Sequence, residues 1–484
     1  MGALNLGADF SAVWRQAAHI GITGITADSR AVTPGYLFAA IPGTRHDGRA
    51  FIAEAVARGA AAILAPEGTA WPANTPARPL LVDPEPRRRL AQIACIMAGA
   101  LPSTTVAVTG TNGKTSTVSF LRQIWELSGT KAASLGTLGL DAPGFPAGPG
   151  LTTPDPVALA EILASLARAG IEHAAMEASS HGLDQFRLDG VRLSAAGFTN
   201  LTRDHLDYHT TLPAYRAAKL RLFTDLLPQG APAVVNADMD AETLRALRTI
   251  ARARRLDLRT VGAAGEAIGL MRATPHPRGQ HLRLYANGRA WTIDLPLVGR
   301  FQVDNALMAA ALAEATGTAD ALGLLSGLRG VRGRMELAAT LANGAAVYVD
   351  YAHTPDALER LLTSLRPHTR GKLVVVFGAG GDRDRGKRPL MGAIAGSLAD
   401  RAIVTDDNPR TEDPASIRAA IRAACPNALE IGDRAQAIAA GLSLLGPGDV
   451  LAVAGKGHEQ GQTIGIATMP FDDAAVVRAL TGVS

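Results

Sequence analysis

The stretch from Val106 to Ser116 constrains this chain most. It reads Val-Ala-Val-Thr-Gly-Thr-Asn-Gly-Lys-Thr-Ser. An apolar, β-branched run is followed by a turn holding Gly110 and Gly113, and Lys114-Thr115-Ser116 then opens a helix. Such a turn cradles phosphates: its glycines let backbone N–H groups approach an anion, the helix N-terminus favours negative charge, and the lysine adds a point charge. A hydroxyl at Thr115 or Ser116 can reach a Mg²⁺ on the phosphates. The longer P-loop pattern places a glycine where Val108 stands, so the loop is a shortened G-x-x-G-K-[ST] form. Gly110, Thr111, Asn112, Gly113, Lys114, Thr115 and Ser116 are thus the expected triphosphate site. A strand–loop–helix unit of this kind belongs to an α/β fold.

The rest of the chain repeats that rhythm. Strands are expected at His173 to Met176, Ala195 to Phe198 and Ala233 to Val235, with Glu177, Asp204 and Asn236 beyond their ends. Helices are expected from Pro156 to Ala169, capped near Asp155, and from Tyr215 to Leu226. Gly139 to Gly150 is rich in Gly and Pro and is expected to be loop. Residues 255 to 296 read as strands and turns, an antiparallel extension. Further on, apolar runs at Ala345 to Val349, Lys372 to Phe377, Ala402 to Thr405 and Val450 to Val453 each end in a polar cluster. The pattern predicts three α/β domains: a small N-terminal one (1–100), a central P-loop-type domain with a mostly parallel sheet (101–330), and a Rossmann-like C-terminal one (331–484). Ligands in such sheets sit beyond the carboxyl ends of the strands.

Composition narrows the partners. A balance of 48 basic against 44 acidic side chains gives only +4, with no basic run interleaved with aromatics, so nucleic acid is not an expected partner. Arg87-Arg88-Arg89 reads as a solvated helix face. Cys95 and Cys425 lack metal-ligand spacing and read as buried thiols of a reducing compartment. Neither a leader-like N-terminus nor a long apolar run suggests membrane insertion, so a cytoplasmic monomer is expected.

The polar clusters suggest a chemistry. Glu177, with His205 beside Asp204, offers groups for a metal near the phosphate loop. In the last domain Arg383 and Arg410 can grip a carboxylate, and Glu459 an ammonium, which together suit an amino acid. One domain for a nucleoside triphosphate and another for an amino acid is what ATP-driven carboxylate activation needs.

The chain resembles the Mur ligase family over nearly its whole length. The resemblance is carried in order by Asp28-Ser29-Arg30, Thr109 to Ser116, Thr152-Thr153-Pro154, Met176 to Leu183, Asn200 to His209, Ala218-Lys219, Asp350 to Pro355, Gly378 to Asp384, Asp407 to Arg410 and Gly455 to Glu459. It implies an ATP-dependent, ADP-forming ligase of peptidoglycan precursor synthesis. Ser29, Thr152, Thr153, Ser179, Gln185 and Arg187 would hold UDP-N-acetylmuramoyl-L-alanyl-D-glutamate. Ser116, Glu177 and His205 would serve Mg²⁺, and Lys114, Glu177, His205 and Lys219 would be catalytic. Lys219 matches the lysine that this family carbamylates. Spacing alone makes it a solvated helical lysine, and its neighbours Tyr215, Ala218, Leu222 and Phe223 carry the match. Asp407-Asn408-Pro409-Arg410 matches the family's signature for meso-2,6-diaminopimelate, so Arg383, Asp407, Asn408, Pro409, Arg410, Gly455 and Glu459 would bind that amino acid. Diaminopimelate differs from lysine by one distal carboxylate, for which Arg410 provides a partner.

Some positions depart from the family. Thr44-Arg45-His46 replaces a His-Gln-Ala type segment, Leu151 replaces a common asparagine, and Ala379 replaces a frequent cysteine. His19, His173 and His281 read as structural or exposed. A lysine-adding or folylpolyglutamate-type ligase is disfavoured by Arg410 and by Thr152-Thr153-Pro154. A nucleotide switch is disfavoured because the chain lacks an Asn-Lys-x-Asp guanine motif.

Overall fold

The computed structural model describes residues 4–5, 21–43, 46–146, 150, 152–202, 204 and 206–482. It has the expected three-domain α/β architecture, built on a small N-terminal sheet, a mostly parallel central sheet and a Rossmann-like C-terminal sheet. By compactness the chain groups into two units. One comprises 1–114, 128–259 and 312–318, and the other 115–127, 260–311 and 319–484.

The first unit holds two parallel layers. Five short strands pair in the order Leu4–Asn5, Leu80–Val82, Ala62–Ala65, Tyr36–Ala39 and Gly24–Thr26. In the central layer Thr104–Thr109 lies between Ala195–Phe198 and His173–Glu177. Pro232–Asn236 follows on one side and Ala132–Gly136 on the other. These strands are nearly continuous apolar runs because both faces are covered. Helix Pro86–Ala98 supplies Leu90, Ile93 and Ala94 to the core that also takes Leu159 and Leu163 of helix Pro156–Arg168, so both layers share one apolar interior. Asp155 caps the latter helix through the amides of Val157 and Ala158, and Pro156 takes its first turn, as the sequence predicts.

Three local expectations change. Gly139–Asp141 is not loop but a short strand antiparallel to Ala132–Gly136. The helix expected at Tyr215 to Leu226 runs as an α-helix from Leu212 to Arg221 and continues as a π-helical turn, Leu222–Leu226. The arginine run is a solvated face only in part: Arg88 is exposed, with Nε donating to Asp189 (3.0 Å), whereas Arg89 turns inward and its Nε donates to the buried Asp83 (2.7 Å). Consecutive helical positions point in different directions, so a charge run says little about exposure.

The second unit contains an antiparallel ribbon, Ile268–His276, Gly279–Ala286 and Arg289–Leu295, matching the expected extension. Asn287 and Gly288 turn its second hairpin with φ of 53° and 74°, the left-handed pair a tight two-residue turn requires. The six-stranded sheet runs Glu336–Thr340, Ala346–Asp350, Val450–Ala454, Leu373–Phe377, Arg401–Val404 and Leu429–Glu430. Only its first strand is antiparallel. The carboxyl ends of the other strands therefore emerge together, carrying the clusters after Asp350, Phe377, Val404 and Ala454. Among the described residues no helix is long and apolar enough to cross a membrane.

Candidate active site

The phosphate loop is shaped by the segment after the neighbouring strand. Thr111 N–H donates to Asn200 O (2.8 Å) and Asn112 N–H to Asn200 Oδ1 (3.1 Å). Thr199 Oγ1 and Asn200 Nδ2 both donate to Asn112 O, at 2.6 and 3.1 Å. Thr111 and Thr202 exchange two further hydrogen bonds of 3.0 and 3.2 Å. Two ammonium groups converge on one carbonyl here. Lys114 Nζ donates to Gly110 O (3.0 Å) and Thr111 O (2.8 Å), and Lys219 Nζ donates to Gly110 O (2.7 Å). Lys219 is 1% exposed, against the Tyr215 ring at 4.5 Å. Burial first, and the Lys114 charge second, push its amine well below the ordinary lysine range, with Asp204 opposing. A lysine whose neighbourhood favours the neutral amine is a nucleophile in waiting.

The residues expected to hold the muramoyl dipeptide form one hydrogen-bonded patch at the end of strand His173–Glu177. Thr153 Oγ1 donates to Glu177 O (2.9 Å) and accepts from Ser179 N–H and Oγ (both 3.0 Å). Arg187 donates to Thr153 O (2.6 Å) and Gln185 Oε1 (2.8 Å). Gln185 in turn reaches the Tyr208 hydroxyl (3.2 Å), which donates to Asp184 (2.8 Å). The buried Glu177 carboxylate accepts from Thr137 N–H (2.8 Å) and its hydroxyl (3.3 Å), and Thr137 Oγ1 lies 3.0 Å from Thr152 Oγ1. A Cβ at position 136 would lie 2.1 Å from Glu177 Oε1, so any side chain there would displace that carboxylate. Ser29 does not share this network: its hydroxyl donates to Glu54 (2.9 Å). His205, Thr44, Arg45, Leu151 and His19 lie outside the described residues.

In the second unit Asp407, Asn408, Gly455 and Glu459 come together. Asn408 Nδ2 donates to Glu459 Oε2 (3.0 Å), while Asn408 Oδ1 accepts from Thr463 N–H (2.9 Å) and Lys456 Nζ (2.9 Å). Arg410 takes a left-handed φ of 51°, fixed by backbone bonds to Thr463 and Gly465, and its guanidinium donates to Gly381 O (2.8 Å). Gly381 is backed so closely by Pro409 that a Cβ would lie 1.9 Å from its carbonyl oxygen, so the glycine run serves as a floor for the Asp407–Arg410 turn. Arg383 is exposed and stands apart from these bonds. The sequence reading missed Lys456, which is fully buried, and Arg434, whose guanidinium donates to the carbonyls of Ala454 (3.0 Å) and Asp406 (3.4 Å). Lys456 lies inside the Gly455 to Glu459 motif, but burial leaves no mark on spacing. Cys95 and Cys425 are buried free thiols, as expected.

A cluster of His276, His281 and Asp294 stands on the antiparallel ribbon. Both rings face Asp294 Oδ1, at 2.8 and 3.2 Å, and Arg278 N–H points to His276 Nδ1 (3.4 Å). A ring that accepts at Nδ1 turns its Nε2 toward the carboxylate as a donor.

The family models bear on this geometry. They match as "Mur ligase family, catalytic domain" over residues 21–95, "Mur ligase middle domain" over 108–313 and "Mur ligase, glutamate ligase domain" over 333–457. A relative from Caulobacter vibrioides is 55% identical over 471 residues, 96% of each chain. The chain belongs to the Mur ligase family. That relative is a UDP-N-acetylmuramoyl-L-alanyl-D-glutamate–2,6-diaminopimelate ligase, as is one from Rhizobium meliloti, 55% identical over 96% of this chain and 95% of the relative. A solved structure of a ligase of the same name superposes with a TM-score of 0.73 at 34% identity, covering 95% of each chain. A Thermotoga maritima MurF ligase with ADP, at TM-score 0.61 and 18% identity, shares the fold. As a Mur ligase, the protein is an ATP-dependent acid–amino-acid ligase.

Proposed function

We propose that this Mur ligase joins meso-2,6-diaminopimelate to the D-Glu carboxylate of UDP-N-acetylmuramoyl-L-alanyl-D-glutamate. The observation that carries the reading is the Asp407–Arg410 turn, locked onto Glu459 and the glycine run. Arg410 and Glu459 there suit the two charges of an amino-acid end, and Arg383 remains assigned by the resemblance alone. The two 55%-identical relatives carry the same activity in their names.

In this reading a D-Glu carboxylate oxygen attacks the γ-phosphorus of ATP. The bond to ADP breaks, and an acyl phosphate forms. The amine of diaminopimelate then attacks the acyl carbon, phosphate leaves, and the amine loses a proton. Gly110 to Ser116 hold the triphosphate, and Lys114 neutralises its charge. Thr152, Thr153, Ser179, Gln185 and Arg187 orient the dipeptide, with Ser29 at the nucleotide-sugar end.

Glu177 fits a hard divalent cation: it is a buried carboxylate whose oxygens accept from the Thr137 N–H and hydroxyl. Ser116 and His205 join it by the resemblance. When bound, Mg²⁺ would screen phosphate charge. The buried amine of Lys219 suits carbamylation, in which the lone pair of the neutral amine bonds to CO₂ carbon and one proton is released, leaving a carbamate anion. ATP-dependent phosphate release should require the UDP-muramoyl dipeptide and diaminopimelate together. Absence of release with both, or equal turnover of lysine, would refute the reading.

A further inference from the structure

Lys456 is fully buried, yet it belongs to no strand or helix interior and, among the described residues, makes no hydrogen bond to a main-chain carbonyl. Its Nζ lies 2.9 Å from Asn408 Oδ1, 3.4 Å from Glu459 Oε2 and 3.7 Å from Asp407 Oδ1. Asp407 Oδ1 is itself buried without a hydrogen-bond partner, so this ammonium is the nearest compensation for its charge. Other cations close by are engaged. Arg434 is bidentate to Asp473, Arg388 pairs with Glu412, and Lys387 donates to His353 O.

Asn408 does not need Lys456 for its orientation. Thr463 N–H also donates to Asn408 Oδ1 (2.9 Å), which already turns the amide so that Nδ2 faces Glu459. What Lys456 alone supplies is a positive charge beside two carboxylates. We infer that Lys456 is a specificity-determining residue that sets the charge of the amino-acid pocket. With it, Asp407 and Glu459 present one net negative charge, matched to a single ammonium, while Arg410 takes a carboxylate. Without it, the same groups present two. A ligand end bearing a bare ammonium then gains attraction, and one bearing a carboxylate beside the ammonium gains repulsion. Lys456 thus disfavours lysine relative to diaminopimelate without touching either.

The inference rests on the reading of the pocket proposed above. The test compares kcat/KM for meso-diaminopimelate and L-lysine in the full chain, with UDP-muramoyl dipeptide and ATP. A wild type that ignores diaminopimelate would sink the proposed function, and only a wild type that prefers it opens the comparison. Lys456→Met and Lys456→Gln should each lower the diaminopimelate-to-lysine ratio by about tenfold or more, mainly through KM. Gln keeps a donor for Asn408, so a drop in both variants follows from charge. Adding Asp407→Asn to Lys456→Met removes one carboxylate with the lysine and should restore the ratio toward wild type. Thermal melting and ATP binding report whether each variant is folded. A ratio within about twofold of wild type in the folded single variants, or a drop in Met but not Gln, would overturn the inference.

Discussion

The pair Arg434–Asp473 offers the sharpest test of how the proposed amino-acid pocket is held. Both side chains are 0% exposed, and the guanidinium meets the carboxylate bidentately at 2.7 and 2.7 Å. Its other bonds reach Ala454 O and Asp406 O, the residues just before Gly455 and Asp407. Asp473 opens the helix Asp473–Thr481, so the pair ties that helix to two pocket loops. Asp473→Asn keeps the shape and leaves a buried guanidinium without its counter-charge, which costs about 3–5 kcal/mol. For a unit of this size each kcal/mol moves Tm by roughly 2–4 °C, so a calorimetric scan should show a transition lowered by about 6–20 °C. The double variant Arg434→Met/Asp473→Leu buries no charge and should return to within about 2 kcal/mol of the parent. It also loses the bonds to Ala454 and Asp406. Its KM for the amino acid should therefore rise about tenfold while KM for ATP stays put. A Tm loss under about 2 °C in Asp473→Asn, or an unchanged amino-acid KM in a folded double variant, would refute this account.

Three other outcomes are expected. Gly136→Ala drives a methyl into Glu177 and should reduce kcat by at least about a hundredfold with the fold kept by circular dichroism; near-normal kcat would mean that Glu177 can move freely. The parent chain should give a ¹³C-carbamate NMR signal with labelled bicarbonate; Lys219→Ala should remove it and abolish turnover, with partial recovery on adding a small carboxylic acid. A persisting signal would assign the carbamate elsewhere. Burial, aided by Arg334, lowers the His458 imidazole to about 4 from 6.5. The unfolded chain then binds the proton more readily, so stability contributed by neutral His458 is present above about 6.5 and is lost as pH falls toward 4. Discounted for partial exposure, the loss is about 1–2 kcal/mol, and a His458→Gln variant should show an acid limb flatter by that amount in denaturant titrations.

Much of the architecture follows from local patterning. The apolar runs ending in Glu177, Asn236, Phe377 and Ala454 are buried strands whose residue types and turn punctuation already specify an α/β sheet. The Asp155 cap and the Lys114–Leu127 helix are equally local and fall where the residues place them. Gly139–Asp141 escaped because its pairing with Ala132–Gly136, rather than its own Gly-rich sequence, makes it a strand.

By itself, the sequence determined a strand–loop–helix unit around Gly110 to Ser116, its position on a parallel sheet, and the order of polar clusters beyond the strand ends. Those are effects of backbone propensity and side-chain type over a few residues. Tertiary structure alone decided which charges are hidden. It set the amine of Lys219 on Gly110 O, closed Thr137 over Glu177, and turned Arg89 onto Asp83. It also placed Lys456 among Asp407, Asn408 and Glu459. Desolvation depends on every atom packed around a group, so a lysine in a helix or a loop reads alike in sequence whether it faces water or lies buried against a carboxylate.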